Sequence, residues 1–461
     1  MEFQSRSLYR PPAPIPTSPR RALFRSIFRT KRDLLSLMPE FAYRTRVSTI
    51  GRTRRKILLV NDPQLVRIIM DGDVKKYPKS DLMVGALAPL VRNSVFVSDG
   101  ATWERQRRMI APAFSHMRLN HAFNAMKQAV DEYEVILDNN ANKGIVFSLE
   151  ESMSYLTADV VCRTIFSRRL DSGTARQVYD SFAVFQDSVA NVRVLNLVLG
   201  RAFAEIKQPR DVTRSAANIR LNIGKLVDQH LDGTKDGCSD IASDIIAARD
   251  PIDGSSFSRE ELIDQIGVFF LAGHETTAGA LAWALFILSQ QPSMVKRMRE
   301  EIETNRSKMG MDINCVKKLN VVRNVFKETL RLYPPLAFMP RVALESGRIG
   351  DEVFPKGALI MISPWLMHRH YDLWENPDRF DPDRFEREAD QSAVANAYVP
   401  FGMGPRICIG SAFALIEATL ILAKLIERYD FHAVDPERVK PAARLTTRSS
   451  NGISVYITRR G

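Results

Sequence analysis

The chain has 461 residues, 45% of them apolar, and a formal net charge of +12; the length and apolar content exclude a disordered protein and allow a large core. Residues 1–60 hold fourteen Lys and Arg against three Asp and Glu, so the rest is nearly neutral, which argues against a nucleic-acid-binding protein. Four scattered cysteines, Cys162, Cys238, Cys315 and Cys408, form no Cys-x-x-Cys pair, which argues against a disulfide framework or zinc site and favours a reducing compartment.

Residues 1–45 are predicted to form a basic, partly disordered N-terminal arm, which begins with the proline-rich residues 11–16. Four apolar residues then recur at near-helical spacing among arginines: Leu23, Phe24, Ile27 and Phe28. This pattern leaves two possibilities open, a helix on an anionic membrane surface or a first helix packed on the body. No apolar run of 18 residues lies near the N-terminus, so neither a signal peptide nor a membrane anchor is expected.

Residues 46–461 are predicted to form one domain that is mainly helical, of the α+β class. Val47–Ile50 and Lys56–Val60 have the composition of short strands, and a helix is predicted from Pro63 to Met70. The pattern from residue 101 to about 249 is mainly helical, strand-like pieces fill 336–362, and 452–458 alternates like a final strand. No internal repeat or second core is evident.

A long helix is predicted between Ser258, which forms a capping box with Glu261, and Pro292. Residues 266–288 are apolar on all sides, a pattern typical of a buried helix or a membrane span. The polar residues 274–277 interrupt this stretch and leave apolar runs too short to cross a bilayer. We therefore predict a long, buried central helix.

A single cysteine, Cys408, lies in a glycine-rich segment (401–410), where a tight turn leads into an apolar helix that runs from Ser411 to about Tyr429. Backbone N–H groups at a helix N-terminus favour thiolate over thiol. A lone thiolate is poorly suited to zinc but can be the one protein ligand of a haem iron. The alternative is an ordinary buried cysteine in a turn.

Gly273 in the middle of the central helix lowers helix stability by about 1 kcal/mol relative to Ala, so its presence needs a reason. Close approach of a flat ligand is one such reason. Glu275 and Thr276 then place an acid beside a hydroxyl, which could bind water and pass protons. The alternative is a polar kink in which Thr276 bonds back to a helix carbonyl. Two further pairs share helical faces: Glu328 with Arg331, and Trp103 with Arg107.

The segment Phe-x-x-Gly-x-Arg-x-Cys-x-Gly that ends at Gly410 resembles the haem-binding loop of the cytochromes P-450. Residues 272–276 resemble the oxygen-activation segment of that family, and residues 328–331 match its Glu-x-x-Arg. Residues 103–107 match its Trp-x-x-x-Arg helix. The resemblance implies the cytochrome P-450 fold, a helix-rich single domain with small β-sheets and a long central helix, and haem b with an axial cysteine thiolate.

The resemblance also assigns roles to residues. It makes Cys408 the iron ligand, Thr276 and Glu275 the catalytic pair, and Glu328, Arg331 and Arg384 a structural ion-pair cluster. The expected cofactor-binding residues are Cys408, Trp103, Arg107, Arg341, Arg406, Phe401, Gly402 and Ala272. Family analogy places eight apolar residues in the substrate pocket: Leu82, Met83, Val84, Leu87, Phe269, Leu336, Ala337 and Phe338.

The implied function is a haem-thiolate monooxygenase that activates O2 and oxidises a small lipophilic substrate. No fused flavin or iron–sulfur domain is recognisable, so a separate ferredoxin or flavodoxin with its reductase is the expected electron donor. The resemblance suggests a soluble, bacterial-type, cytoplasmic monomer. Two alternatives remain: an O2-independent haem-thiolate enzyme that rearranges peroxides or couples phenols, and a haem sensor or carrier without turnover.

Overall fold

The structure is a computed structural model that describes residues 9–16, 18, 33–52, 55–72, 74–170, 173–189, 208–233, 240–306, 310–443 and 445–460. Several residues discussed above lie outside these ranges: Leu23, Phe24, Ile27, Phe28 and Cys238.

Most of the described chain is helical. The α-helices are, in order, α1 (Pro63–Arg67), α2 (Asp81–Val91), α3 (Gly100–Ile110), α4 (His116–Lys143), α5 (Leu149–Phe166), α6 (Gly173–Val189), α7 (Arg210–Gly233), α8 (Ile241–Ala247), α9 (Arg259–Ser289), α10 (Pro292–Asn305), α11 (Ile313–Lys318), α12 (Asn320–Leu332), α13 (Pro364–Met367), α14 (Gln391–Ala397) and α15 (Ser411–Arg428). The helix predicted from Pro63 to Met70 is thus shorter in α form, because a π-turn continues it over Ile68–Gly72.

Short strands form four small sheets in the described residues. The strands are β1 (Val47–Arg52), β2 (Lys56–Val60), β3 (Phe147–Ser148), β4 (Met339–Val342), β5 (Gly347–Ile349), β6 (Glu352–Phe354), β7 (Leu359–Ile362), β8 (Tyr429–Ala433), β9 (Pro441–Ala443), β10 (Thr447–Ser449) and β11 (Ser454–Arg459). The largest sheet has the order β1-β2-β7-β4, with β2 parallel to β7 and the other neighbours antiparallel. The others are β3-β11-β8 and the pairs β5-β6 and β9-β10.

The central helix α9 has the predicted boundaries. The Ser258 side chain accepts a hydrogen bond from the Glu261 N–H, and the Glu261 carboxylate accepts one from the Ser258 N–H. Its 31 residues span about 46 Å, enough to cross the protein. Within the described residues α9 alone is long and apolar enough to cross a membrane, but 78% of its apolar window is buried by the rest of the chain.

The polar interruption of α9 lies where two hydrophobic clusters meet. Residues 278–288 belong to one cluster, which contains the stacked rings of Trp283 and Tyr333, 3.9 Å between centroids. Residues 262–271 belong to the other, in which Phe182 stacks on Phe270. Residues 272–277 separate the two, so α9 carries its polar groups to the centre of the molecule.

The proline-rich part of the predicted arm is extended and packs on the body. The Tyr333 hydroxyl donates to the Pro12 carbonyl at 2.6 Å, and the Phe380 N–H donates to the Tyr9 carbonyl at 2.9 Å. Proline has no N–H of its own to satisfy, so an extended segment can lie on aromatic rings without breaking a hydrogen-bond ladder. Further along, Leu35 and Tyr43 belong to the main core.

Candidate functional site

The loop that carries Cys408 has a backbone shape that requires glycine. Gly402 and Gly404 have φ angles of +72° and +69°. A Cβ on Gly404 would lie 2.3 Å from the Met70 carbonyl oxygen, so a side chain there would collide with backbone. A short 3-10 turn over 404–406 follows, and the Cys408 N–H donates to the Phe401 carbonyl at 2.9 Å. The loop is therefore closed upon itself and fixes the direction of the thiol.

The protein groups around Cys408 do not by themselves make it a thiolate. The sulfur reaches accessible space, but desolvation by the surrounding protein raises the pKa of the thiol. The Gly410 N–H, Arg107 and Lys79 oppose this rise without reversing it. The helix N-terminus, expected to favour the thiolate, lowers the pKa through the Gly410 N–H but does not outweigh burial. A bound metal cation would supply the missing positive charge and deprotonate the thiol.

Two predicted cationic residues lie in this loop or against it. The Arg406 guanidinium donates to the Ser98 carbonyl at 3.0 Å, pairs with Asp99 and stacks over the Trp103 ring at 4.4 Å. Arg107, one turn from Trp103 on α3, donates to the Ile407 carbonyl at 3.0 Å. Helix α3 is thus held against the Cys408 loop by hydrogen bonds to backbone carbonyls. Because a carbonyl has no net charge, much of the positive charge of these arginines is left unneutralised.

Lys79 is a member of this cation group that the sequence analysis missed. It pairs with Arg341 in an antiparallel bridge, and its ammonium donates to the Phe96 carbonyl while lying 3.8 Å over the Phe96 ring. Burial, reinforced by Arg341 and Arg406, lowers the pKa of Lys79 well below its ordinary value. Neither Lys79 nor its neighbours Lys75 and Lys76 form a recognisable motif, so the sequence held no signal that singled it out.

These cations carry more positive charge than the neighbouring acid can balance. Burial and the proximity of Arg406 lower the pKa of Arg341 to about 10, and Asp99 is the acid that opposes this shift. A cleft of about 310 Å³ opens beside the group, lined by Lys79, Arg406, Asp99 and Val84 among others. Buried cations in surplus fit a ligand that brings its own carboxylates. The residues present therefore fit a cofactor that carries carboxylates, and Cys408 could hold a metal within it.

The middle of α9 presents a small, open face. Ala272 is exposed and Thr276 half-buried, and the two lie one turn apart on the same side of the helix. The Thr276 hydroxyl donates to the Ala272 carbonyl at 2.7 Å, as the alternative interpretation of this segment expected. Its oxygen still has acceptor capacity toward the open side.

Gly273 has a different role from the expected one, which was close approach of a flat ligand. A Cβ on this residue would lie 2.9 Å from Cγ2 of Val161 on α5. The glycine therefore allows α5 to pack closely on α9, and approach of a flat ligand to Gly273 is not required. The small residue that leaves space on the open face is Ala272.

Glu275 points away from that face and is enclosed by other elements. The Arg448 guanidinium donates from Nε to Oε1 at 2.6 Å and from Nη2 to Oε2. The Thr446 hydroxyl donates to Oε1 at 2.8 Å, and the Gln186 amide on α6 donates to Oε2 at 2.6 Å. Burial alone would raise the pKa of Glu275, but Arg448 and these hydrogen bonds hold it below its ordinary value. Glu275 is thus an ionised carboxylate at neutral pH.

The structure brings together the three residues of the predicted ion-pair cluster, Glu328, Arg331 and Arg384. Arg331 on α12 binds Glu328 through two hydrogen bonds of 2.8 Å, and the Arg384 Nε donates to the same carboxylate at 3.1 Å. All three side chains are fully buried. Arg331 also donates to the carbonyls of His368 and Pro377, so the cluster joins α12 to the segment that leads to the Cys408 loop.

The predicted pocket residues are only partly brought together. Leu82, Met83 and Val84 are half-buried on α2, where Val84 lines the cleft beside the cations. Leu87 and Phe269 pack in the same hydrophobic cluster.

The other three predicted pocket residues precede β4. Leu336 and Phe338 are half-buried there. The side chain of Ala337 is buried in the main core, and its carbonyl accepts from the Ser363 hydroxyl at 2.9 Å.

Comparison with known proteins supports the resemblance over nearly the whole chain. The Cytochrome P450 family model matches residues 16–454. LUTEIN DEFICIENT 5, chloroplastic, from Arabidopsis thaliana is 27% identical over 431 residues, covering 88% of this chain and 71% of the relative. Cyclooctatin synthase from Streptomyces melanosporofaciens is 29% identical over 404 residues, covering 85% and 84%. A cytokinin hydroxylase from Arabidopsis thaliana is 29% identical over 381 residues, covering 80% and 72%.

Solved structures share the fold. The cytochrome P450DA heme domain aligns with a TM-score of 0.81 at 23% sequence identity and covers 98% of both chains. A cytochrome P450 designated CYP102L1 aligns with a TM-score of 0.78 at 20% identity, over 92% of this chain and 96% of the other. The predicted fold class, helix-rich with small β-sheets and a long central helix, is confirmed.

Proposed function

Because this chain belongs to the cytochrome P450 family, we propose that Cys408 is the protein ligand of its haem iron and that the substrate is a small lipophilic molecule. The protein is a cytochrome P450 monooxygenase, and its cofactor is haem with a cysteine thiolate ligand. The observation that carries the assignment is the Cys408 thiol on a rigid loop beside a surplus of buried cations. The sequence places none of the other three cysteines, Cys162, Cys238 and Cys315, in a loop of this kind.

The haem, when bound, supplies the oxygen chemistry, and thiolate ligation favours cleavage of the O–O bond. Arg107, Arg341 and Arg406 would bind its carboxylates, with Trp103 holding Arg406 in place by stacking. Lys79 adds a fourth cation to this group. Phe401 and Gly402 would shape the loop that holds Cys408, and the small, exposed Ala272 would leave room for the cofactor on the open face of α9.

Thr276 and Glu275 divide the handling of protons between them. Thr276 lies on the open face of α9 and would hold oxygen or a water by its hydroxyl. Glu275 lies behind it, ionised, and would move protons inward from the side of α6 and β10. Leu82, Met83, Val84, Leu87, Phe269, Leu336, Ala337 and Phe338 are proposed to contact the substrate.

Electrons are proposed to come from a separate ferredoxin or flavodoxin with its reductase. We place residues 1–45 as an N-terminal arm ahead of a catalytic domain at 46–461, and we propose a soluble, bacterial-type, cytoplasmic monomer. The three relatives compared above carry different names, so they do not select one substrate. Apolar side chains at all eight proposed pocket positions are what support a lipophilic substrate.

The test is a ligand screen followed by turnover. Purified holoprotein is titrated with a panel of lipids, terpenoids and aromatic compounds, and binding is followed by the shift of the haem absorption band. Hits are then incubated with O2, NADPH and a ferredoxin with its reductase. We expect an oxygenated product from at least one compound that shifts the band. Product formed equally well without O2, from peroxide substrates alone, would favour the O2-independent alternative, and no turnover of any ligand would favour a carrier.

A further inference from the structure

The carboxylate of Glu275 is the meeting point of three separate elements. Gln186 reaches it from α6, Arg448 from β10, and Thr446 from the residue immediately before β10. These groups are 89, 173 and 171 residues away from it in sequence. We call Arg448, Thr446 and Gln186 the Glu275 clamp.

The clamp uses all the acceptor capacity of the carboxylate. An ionised carboxylate offers about four lone-pair sites. Arg448 occupies two of them, and Thr446 and Gln186 occupy one each. A water molecule can therefore exchange a proton with Glu275 only after one of these hydrogen bonds has broken.

Arg448 is the donor that lies between Glu275 and solvent. Its side chain is 30% exposed, whereas that of Glu275 is 4% exposed. Thr446 is buried, and Gln186 on α6 is half-buried. Arg448 is thus the charged donor on the partly exposed side of Glu275, and movement of its guanidinium would expose the carboxylate to water.

Other charged groups near Glu275 do not replace Arg448. His274 is adjacent in sequence; burial lowers its pKa, and the proximity of Glu275 opposes this. Its Nδ1 donates to the Phe270 carbonyl at 2.7 Å, and the Tyr179 and Phe182 rings pack against it. Among the residues that the structure describes around this carboxylate, Arg448 does most to lower the pKa of Glu275, and His274 does less.

We propose that Arg448 is a positioning residue that controls proton transfer through Glu275, and that Gln186 couples this control to the placement of helix α6. The inference rests on the proposed function for the part played by Glu275 in turnover. In each cycle of transfer, Glu275 accepts one proton from solvent water and gives one to the Thr276 side. The carboxylate returns to its ionised state, so no oxidant or reductant is needed.

The direct test measures the protonation of Glu275 and needs no turnover. Infrared difference spectra of the holoprotein are recorded as the pH is lowered, and the carbonyl band of protonated Glu275 is identified by its loss in E275Q. We expect Arg448→Gln to shift the midpoint of this band to higher pH by at least one unit, and Arg448→Lys to shift it less. Arg306→Gln, which alters an exposed pair with Glu427, is the matched control and should leave the midpoint unchanged.

An unchanged midpoint in Arg448→Gln would overturn the proposal. Should that variant fail to fold, Thr446→Val removes one donor without altering charge and should also raise the midpoint, so no shift in Thr446→Val would count equally against it. The second readout is the pH profile of substrate-dependent O2 consumption, which should move upward with the infrared midpoint in each variant. An infrared shift with no turnover in any variant would contradict the proposed function while supporting the clamp.

The contribution of α6 is tested by Gln186→Leu. Loss of the amide should raise the infrared midpoint by less than the loss of Arg448, because the amide is neutral. Substrate binding that moves α6 should change the midpoint in the wild type and leave it unchanged in Gln186→Leu. Equal responses of the two proteins to substrate would refute the coupling.

Discussion

Lys79 and Arg341 face each other across an antiparallel bridge, and burial lowers the pKa of both side chains. Two cations placed side by side repel each other unless an anion lies between them. Flanking backbone bonds, from the Ser80 N–H to the Pro340 carbonyl and from the Val342 N–H to the Pro78 carbonyl, fix this pairing. The repulsion of like charges is thus built into the fold, and we expect the carboxylates of a bound haem to relieve it.

Replacing Lys79 should loosen the haem. In Lys79→Met the side chain keeps its length but loses the charge that would face the haem carboxylates. We expect faster haem transfer to an excess of apomyoglobin, by about tenfold if a charged hydrogen bond of about 1.5 kcal/mol is lost. Lys356→Met, at an exposed site, should transfer haem at the wild-type rate, and equal rates in the two variants would contradict the assignment.

Gly404 should not tolerate a side chain, because its backbone is left-handed and because the Met70 backbone occupies the space that a Cβ would need. Gly404→Ala places a methyl group 2.3 Å from the Met70 carbonyl oxygen. Gly357→Ala has a similar left-handed backbone with open space around it, so it should lose only the backbone cost of about 1–2 kcal/mol. Urea unfolding of the two holoproteins should show the larger loss for Gly404→Ala. A loss no greater than that of Gly357→Ala would mean that the loop can move away from Met70.

The buried cluster at Glu328 should be costly to break. Glu328→Gln leaves the fully buried Arg331 without its counter-charge and leaves the fully buried Arg384 with only Asp390, at 3.8 Å. Removing one partner of a buried ion pair typically costs about 3–5 kcal/mol. The control is Glu427→Gln, which alters an exposed pair and should change the free energy of unfolding by about 0.5 kcal/mol or less. Comparable losses in both variants would show that the cluster is dispensable.

Glu417 should make the protein less stable as the pH rises. Burial raises the pKa of this carboxyl well above its ordinary value, and a hydrogen bond with Thr277 opposes this rise without reversing it. The folded state then holds a proton that the unfolded state has lost, so the stability that Glu417 contributes is present below its ordinary pKa and declines as pH rises toward the raised one. Glu417→Gln should remove this decline and be the more stable protein at pH 8. Parallel stability curves from pH 5 to 8 would contradict this.

Local rules were sufficient to predict the central helix. Its start is encoded by the capping box at Ser258, and the next helix begins at Pro292, both of which act within a few residues. Glu328 and Arg331 were also predictable as a pair, because three residues separate them on one helix. Such features depend on spacing along the chain, which the sequence contains directly.

Features that depend on distant segments were not predictable in this way. Lys79 acquires its role from Arg341, and Glu275 acquires its clamp from Arg448, in each case across more than 150 residues. The role of Gly273 was not predictable because it depends on α5, where Val161 occupies the space that a side chain at position 273 would need. The pKa of the Cys408 thiol was not predictable from the loop alone, because burial, which depends on the whole fold, opposes the effect of the Gly410 N–H.

The central claim is that Cys408 binds the haem iron as a thiolate, and one spectrum tests it most directly. The reduced holoprotein is exposed to carbon monoxide, and the difference spectrum is recorded for the wild type and for Cys408→His. We expect the wild type to show the strongly red-shifted band of a thiolate-ligated complex, and Cys408→His to show an imidazole-type band or to lose its haem. An imidazole-type band in the wild type, or a thiolate-type band that persists in Cys408→His, would contradict the account.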